Sequence, residues 1–468
     1  MRRRGAGVTI GVLMLGSLLF AMTQTMVIPL LPTMARDIGE DLGSAAWLVT
    51  APLVSGAALT PVLGRVADQF GKKRTLIAIL VAMMVGSIVM AFSTGLPVMI
   101  VARSLQGVCL AFVPVAISLL RDLVRPAQFA AGVGILSASV GFGTALAVPM
   151  AAILGSVLDW HLAFLIVGIG DAVAIVLTAW LVADGRMPAG GRFDLWGGIG
   201  IAVAMVALTV LISEAPSWGL QPFTIVLAAV FVVVFTVWVW WERRVRDPIV
   251  DLALATRGPV ALTNLLALLL GYSLFGNLIT STQLAQLPTS TGYGFGLTLL
   301  EAGWLILPSG LVMIVLAPVA GALSARVGAK VVMVIATVVL MVGYVGHLTV
   351  PGILGLAASM VTVSVGVSLA YSSLPILVSS EVPASATASA NGINVLVRMI
   401  GQAVCSSVVA ALLSVFVMVD DGAVWPTRDA FQWSYAAALG ASVLAFIVAQ
   451  LLPRRRSSAA SHVPNQRK

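Results

Sequence analysis

Gly64-Arg65-Val66-Ala67-Asp68-Gln69-Phe70-Gly71-Lys72-Lys73-Arg74 is a charged, glycine-punctuated stretch caught between two long apolar runs. Its four Lys and Arg residues cannot sit in hydrocarbon, so it reads as a turn in water at the end of a membrane-spanning hairpin. The excess of positive charge puts that end on the cytoplasmic side. Gly64 and Gly71 allow a sharp turn and close helix approach, and Asp68 is placed to pair with a cation or cap a helix N-terminus. An orientation signal needs the basic residues but neither the aspartate nor the glycines. Gly64, Arg65, Asp68, Gly71, Lys72, Lys73 and Arg74 are therefore expected to form a conformational latch that pairs with neighbouring helix ends in one access state.

The composition extends this reading to the whole chain. Its 468 residues are 60% hydrophobic and 9% charged, with a mean hydropathy of +1.07, against about 25% charged in soluble domains. Such a chain is an integral membrane protein. The net charge of +8 does not point to nucleic acid, because the basicity is topological. Of the 26 Lys and Arg, only Arg36, Arg103, Arg398 and Arg428 fall outside the segments assigned to the cytoplasm. Cys109 and Cys405 lie inside apolar runs and are expected to pack as small residues without a disulfide. The Arg-rich start and first apolar run superficially look like a signal peptide. No small-residue cleavage site precedes a soluble domain, so a retained first span is expected.

Apolar runs of about 20 residues place spans near 8–30, 45–65, 75–93, 97–120, 128–153, 162–183, 195–213, 222–241, 259–283, 298–320, 331–349, 352–377, 388–416 and 432–452. This is an all-α fold of fourteen transmembrane helices with both termini cytoplasmic. Asp37, Glu40, Asp41, Asp420 and Asp421 then lie outside, while Arg186, Arg192, Arg243 and Arg244 lie inside. An ungapped shift of 257 residues brings Trp47 onto Trp304, Pro61 onto Pro318, Gly64 onto Gly321, Gly71 onto Gly328, Lys73 onto Lys330, Gly86 onto Gly343 and Pro126 onto Pro383. Gly321-Ala-Leu-Ser-Ala-Arg326-Val-Gly328-Ala-Lys330 is thus a weakened second copy of the hinge. The repeat implies two six-helix bundles, 1–190 and 257–454, separated by a two-helix insertion, 191–256, and followed by a tail, 455–468. Parallel repeats of this kind bind substrate between the halves near mid-membrane.

The stretch at Gly64 resembles the loop signature of the major facilitator superfamily, G-x-x-x-D-x-x-G-[RK]-[RK], and stands between spans 2 and 3 as in that family. Over essentially the whole chain the span count resembles the fourteen-span drug:proton antiporter branch. Arg192-Phe-Asp194-Leu-Trp-Gly197 and Trp241-Glu242-Arg243-Arg244 with Asp247-Pro248 also resemble its insertion. Arg103-Ser-Leu-Gln106-Gly107 resembles R-x-x-Q-G, whose arginine the family ties to proton coupling. Thr23-Gln24-Thr25-Met-Val-Ile-Pro-Leu-Leu-Pro32 is similar to L-D-x-T-x-V-N-x-A-L-P, with Thr23 where the branch has its intramembrane aspartate. The antiporter segment G-x-x-x-G-P-x-x-G-G survives only in part, as Gly141-Phe-Gly143-Thr-Ala145-Leu-Ala147-Val-Pro149-Met-Ala151-Ala152.

Candidate residues for proton coupling and the substrate cavity are Arg103, Gln106, Thr23, Gln24, Thr25, Asp171 and Arg398. A mid-membrane arginine costs about 2.5–3.5 kcal/mol on insertion scales, so Arg103 either has partners or snorkels to the outer headgroups. Gln106, three residues on, shares its helix face. The span 1 hydroxyls either bind substrate or Arg103, or back-bond to the preceding turn. Asp171 is the carboxylate nearest the middle of a span, either a protonatable site or a structural acid. Arg398 answers Glu381 or lines the cavity. Glu301 reads as a helix cap and His347 as packing. Three histidines without ligand spacing and no Gly-rich Lys-Ser/Thr loop argue against an enzyme or ATP drive.

The expectation is a plasma-membrane exporter of hydrophobic or cationic small molecules in exchange for protons, working by alternating access. It is expected to be a monomer in the lipid bilayer, with the proton motive force in place of a cofactor, no metal and no nucleic-acid partner. The alternatives are a uniporter or proton symporter of a small metabolite and, in another class, a membrane sensor without transport.

Overall fold

A computed structural model describes residues 5–40, 42–45, 47–157, 159–185, 193–218, 221–420 and 423–453. The expectations for Arg2 to Arg4, Asp41, Arg186, Arg192, Asp421, Arg454 and the tail 455–468 lie outside the described residues. Those for the side chains of Pro32, Pro126, Ala145, Pro149, Ala152 and Asp420 do so as well.

Apolar runs in a bilayer must close their backbone hydrogen bonds within the segment, which makes them helices. Helix α1 runs Ala6–Thr25 and, past a turn at Met26, Val27–Ile38. It is followed by α2 (Trp47–Phe70), α3 (Lys72–Phe92), α4 (Leu96–Gln106 and Phe112–Leu123 around a 3-10 turn, Gly107–Ala111), α5 (Pro126–Val157) and α6 (His161–Leu181). Then come α7 (Leu195–Trp218), α8 (Pro222–Glu242), α9 (Gly258–Gln286), α10 (Leu299–Val327), α11 (Ala329–Thr349), α12 (Gly352–Glu381), α13 (Thr387–Val415) and α14 (Arg428–Leu451). Twelve of the described helices are long and apolar enough to cross a membrane. Helices α5 and α7 stand at the predicted fifth and seventh spans. On α8, Phe223, Ile225, Val226, Val232, Val233 and Val237 are all exposed, a surface suited to lipid.

The 257-residue repeat has a geometric counterpart. Gly71 (φ 113°) and Gly328 (φ 92°) both adopt a positive φ and turn the chain between consecutive helices, which a side chain would resist. A Cβ on Gly86 would stand 2.6 Å from Gln106, and one on Gly343 would stand 2.6 Å from Val363, the repeat partner of Gln106. Lys73 donates to the Ala179 carbonyl at the end of α6 (2.9 Å). Lys330 donates to Gln450 O (2.7 Å) and Leu452 O at the end of α14, so each lysine neutralises the carbonyl end of the last helix in its own set. The tryptophans correspond less closely, Trp47 being half-buried and Trp304 65% exposed.

Packing forms one core among α1–α6, around Leu13, Met83, Phe112 and Phe164, and another among α9–α14, around Leu270, Met333, Tyr344 and Leu374. A third, with Ile201, Met205 and Trp238 of α7 and α8, rests on Ala57 and Ala58 of α2 and Leu396 of α13. The two helix sets meet through glycines. A Cβ on Gly64 would lie 3.0 Å from Ala388 O, one on Gly134 2.6 Å from Ala317 O, and one on Gly321 2.5 Å from Ala130 O.

Three details differ from or add to the expectations. Helix α2 continues past residue 65 to Phe70, so the hinge is a single residue, Gly71, with Gly64 and Asp68 on the last turns of α2. A two-stranded hairpin, β1 (Val417–Asp420) with β2 (Ala423–Pro426), joins α13 to α14, a short addition outside the spans of an all-helical fold. Finally, α4 is interrupted by its 3-10 turn where it crosses α2: a Cβ on Gly107 would fall 1.9 Å from Ser55 Oγ and 2.5 Å from Pro52 O.

Candidate functional site

Arg103 is 1% exposed and does not snorkel. Its Nε donates to Leu48 O (2.8 Å), and its Nη1 donates to Thr23 O (3.0 Å) and Gln106 Oε1 (2.6 Å). The Leu48 carbonyl is open to this bond because the residue four positions on, Pro52, has no N–H to give it. Gln106 Nε2 in turn donates to Ser87 Oγ (2.9 Å). One guanidinium thus ties α1, α2 and α4 together, and α3 through Gln106. A buried charge persists only when hydrogen-bonded in this way.

The span 1 polar residues divide. The Thr23 hydroxyl back-bonds to Leu19 O (2.9 Å), so it is the Thr23 carbonyl that meets Arg103. Gln24 and Thr25 are half-buried. On α6, Asp171 is fully buried, and neither carboxylate oxygen has a hydrogen-bond partner among the described residues. Its flanking residues locate it, since Gly168 packs on Ser87 and Ile88 of α3 and Gly170 on Leu19 of α1. Asp171 therefore sits inside the first core. Arg398 does not meet a carboxylate among the described residues; its Cζ lies 4.4 Å from the centroid of the Tyr371 ring.

At the end carrying most of the basic residues, hereafter the basic end, the hinge residues part company. Asp68, 3% exposed, reaches the N-terminus of α13: Oδ2 accepts from Ser389 N (3.0 Å) and Oδ1 from Ala388 N (3.4 Å). These are open amides of a helix's first turn, which a carboxylate satisfies well. Lys72 is buried in protein rather than immersed in water, correcting the expectation for this charge. Its Nζ pairs with Asp122 Oδ2 (2.7 Å) and donates to Ala384 O (3.1 Å). Arg121, which sequence reasoning passed over, donates to Val382 O (3.1 Å) and Thr387 Oγ1 (2.5 Å). Arg65 is half-buried beside Gln69, whose amide oxygen accepts from it at 3.2 Å when turned toward it, and lines a small cleft with Asp251, Asn264 and Ser389. Lys73 stays within its own helix set, and Arg74 is exposed.

The other readings resolve simply. Glu301 forms a capping box with Thr298. His347 donates from Nε2 to Asn277 Oδ1 (3.0 Å) and stacks on Tyr435 at 4.3 Å. Both cysteines are buried and free. In the insertion, Asp194 accepts from Trp241 Nε1 (3.1 Å) and Gly197 N (2.9 Å), and Glu242 accepts from Val250 N. Among the described residues, every hydrogen bond between α1–α6 and α9–α14 lies at the basic end.

Comparison with known proteins agrees with this architecture. The chain is 26% identical over 410 residues to the "Tetracenomycin C resistance and export protein" of Streptomyces glaucescens, covering 85% of this chain and 74% of that one. It is 28% identical over 402 residues to the "Multidrug resistance protein Stp" of Mycobacterium tuberculosis, covering 82% and 72%. The crystal structure of the human organic anion transporter MFSD10 superposes with a TM-score of 0.66 at 16% identity, covering 95% of this chain and 100% of that one, a likeness of fold. The family model described as Major Facilitator Superfamily matches residues 13–192 and 184–406, and the chain is a multi-pass member of that superfamily of transporters.

Proposed function

We propose that this chain exports hydrophobic or cationic small molecules, drugs or secondary metabolites, in exchange for protons, by rocking α1–α6 against α9–α14. The reading takes all fourteen helices as spans, in the drug:proton antiporter branch, with bundles 1–190 and 257–454 and the insertion 191–256 between them. Both termini are cytoplasmic, the membrane is the plasma membrane, and a monomer suffices. The observation that carries it is the one-ended seam. Asp68, Lys72 and Arg121 join the two helix sets at the basic end, so breaking these few bonds opens that side. The relatives named for drug resistance and export support the cargo class.

In this reading the structure faces outward, and Asp68 on the α13 N-terminus is the catch that holds it. Asp171, a buried carboxyl group without hydrogen-bond partners among the described residues, carries the proton, and Arg103 holds the first core rigid around it. One proton crossing 100 mV supplies about 2.3 kcal/mol, and each pH unit about 1.36 kcal/mol, enough for a concentration ratio of tens-fold or more. A second reading, a uniporter or proton symporter of a small metabolite, draws on Thr23, which replaces the branch's aspartate and spends its hydroxyl on Leu19. To separate them, cells with and without the protein are loaded with Nile red, a neutral hydrophobic dye, and allowed to efflux. Faster efflux that a protonophore abolishes supports the exporter, and protonophore-insensitive efflux supports the uniporter.

A further inference from the structure

We infer that Arg398 and Tyr371 form the recognition site for substrate, and that the favoured substrate is a planar aromatic molecule bearing an ionised acidic group. The inference rests on the transport reading above and deepens it. The eight helices that meet across the two sets or flank that contact are α1, α2, α4, α5, α9, α10, α12 and α13. Their sequences carry no Asp or Glu in mid-helix: Asp68, Asp122 and Glu381 stand at the basic end, Asp37 and Glu301 at the other. Their mid-helix cations are Arg103 and Arg398. Arg103 is spent on Leu48, Thr23 and Gln106. Arg398 is only half-buried, and among the described residues no carboxylate pairs with it.

The pair stands where the two helix sets approach each other. Ile376, five residues nearer the basic end than Tyr371, and Met399, one residue farther from that end than Arg398, both pack against the core of α1–α6, so Arg398 and Tyr371 lie at the level where the two sets meet. The Arg398 Cζ stands over the Tyr371 ring, 4.4 Å from its centroid, a cation–π contact that leaves the guanidinium N–H groups without a carboxylate partner among the described residues. The planar N–H fork of a guanidinium matches the two oxygens of a carboxylate. The Tyr371 ring continues the surface on which an aromatic body can lie. A cationic substrate would meet a like charge here with no mid-helix carboxylate on the surrounding helices to offset it.

The test uses two dyes on one xanthene scaffold, fluorescein as the anion and rhodamine 6G as the cation, in proteoliposomes energised by a proton gradient. Wild-type protein is expected to transport fluorescein in preference to rhodamine 6G. Arg398→Gln is expected to lower the fluorescein-to-rhodamine flux ratio at least tenfold, through a higher KM for fluorescein. Arg398→Lys should restore part of the ratio, and equal thermal stability of the variants guards against misfolding. Preference for rhodamine 6G, or an unchanged ratio in Arg398→Gln, overturns the inference and leaves the exporter standing. Flux of neither dye from folded protein overturns the exporter reading and the inference with it.

Discussion

Replacing Asp68 with Asn keeps the shape of the side chain and one acceptor oxygen but removes the charge at the start of α13. Hydrogen bonds to a charged group are worth about 1.5–3 kcal/mol, against about 0.5–1.5 kcal/mol for neutral ones. A carboxylate at a partly buried helix N-terminus adds about 0.3–2 kcal/mol. Of the two bonds, that to Ser389 N at 3.0 Å is sound and that to Ala388 N at 3.4 Å is long, so about one full bond's difference is at stake. Relief of the buried charge in the variant offsets part of this. The net weakening of the closed basic end is about 1–2 kcal/mol, a five- to thirtyfold shift toward the opened state. Spin labels at the exposed positions Arg125 and Arg326, which flank the α5–α10 seam, would report this by pulsed electron resonance. The ratio of long- to short-distance populations should rise about five- to thirtyfold in Asp68→Asn. A distance distribution identical to that of the parent would refute the catch.

Arg103→Ala should lower thermal stability in detergent by about 2–5 kcal/mol, because three acceptors lose a buried charged donor; a melting temperature within a degree of the parent would contradict the buried network. Gly107→Ala should also destabilise, by about 1–3 kcal/mol, since its new methyl group meets the Pro52 carbonyl as well as the movable Ser55 hydroxyl; the same melting assay decides. Asp171→Asn should remove the dependence of substrate flux on an imposed pH gradient while leaving energy-independent exchange of substrate across vesicles measurable. Retained gradient dependence would take the proton from Asp171.

Much of this fold was legible because membrane insertion writes it in charge and length. The Gly71 hinge and its copy at Gly328 were visible as glycines at a constant offset, and both take the strained turn. The i, i+3 spacing of Arg103 and Gln106 announced a shared face, and the two side chains bond. Their further partners were hidden, since backbone carbonyls leave no sequence mark. Pro52 was the available clue to the Leu48 carbonyl. Arg121 looked like one more cytoplasmic cation, and Tyr371 like an ordinary residue in an apolar run; only packing gave them partners. The β-hairpin was readable in Val417-Met-Val-Asp-Asp-Gly-Ala-Val-Trp-Pro426, where two short apolar runs flank an Asp-Gly pair. Length and hydropathy end span 13 at residue 416 and carry no information on the segment beyond it.

The most direct measurement of the central claim is substrate movement in proteoliposomes carrying purified protein, with the pH gradient imposed and the membrane potential clamped by potassium and valinomycin. The account predicts accumulation on the side that supplies protons, collapsing when the gradient is dissipated and reversing when it is inverted. Accumulation that ignores the sign of the pH gradient would contradict it.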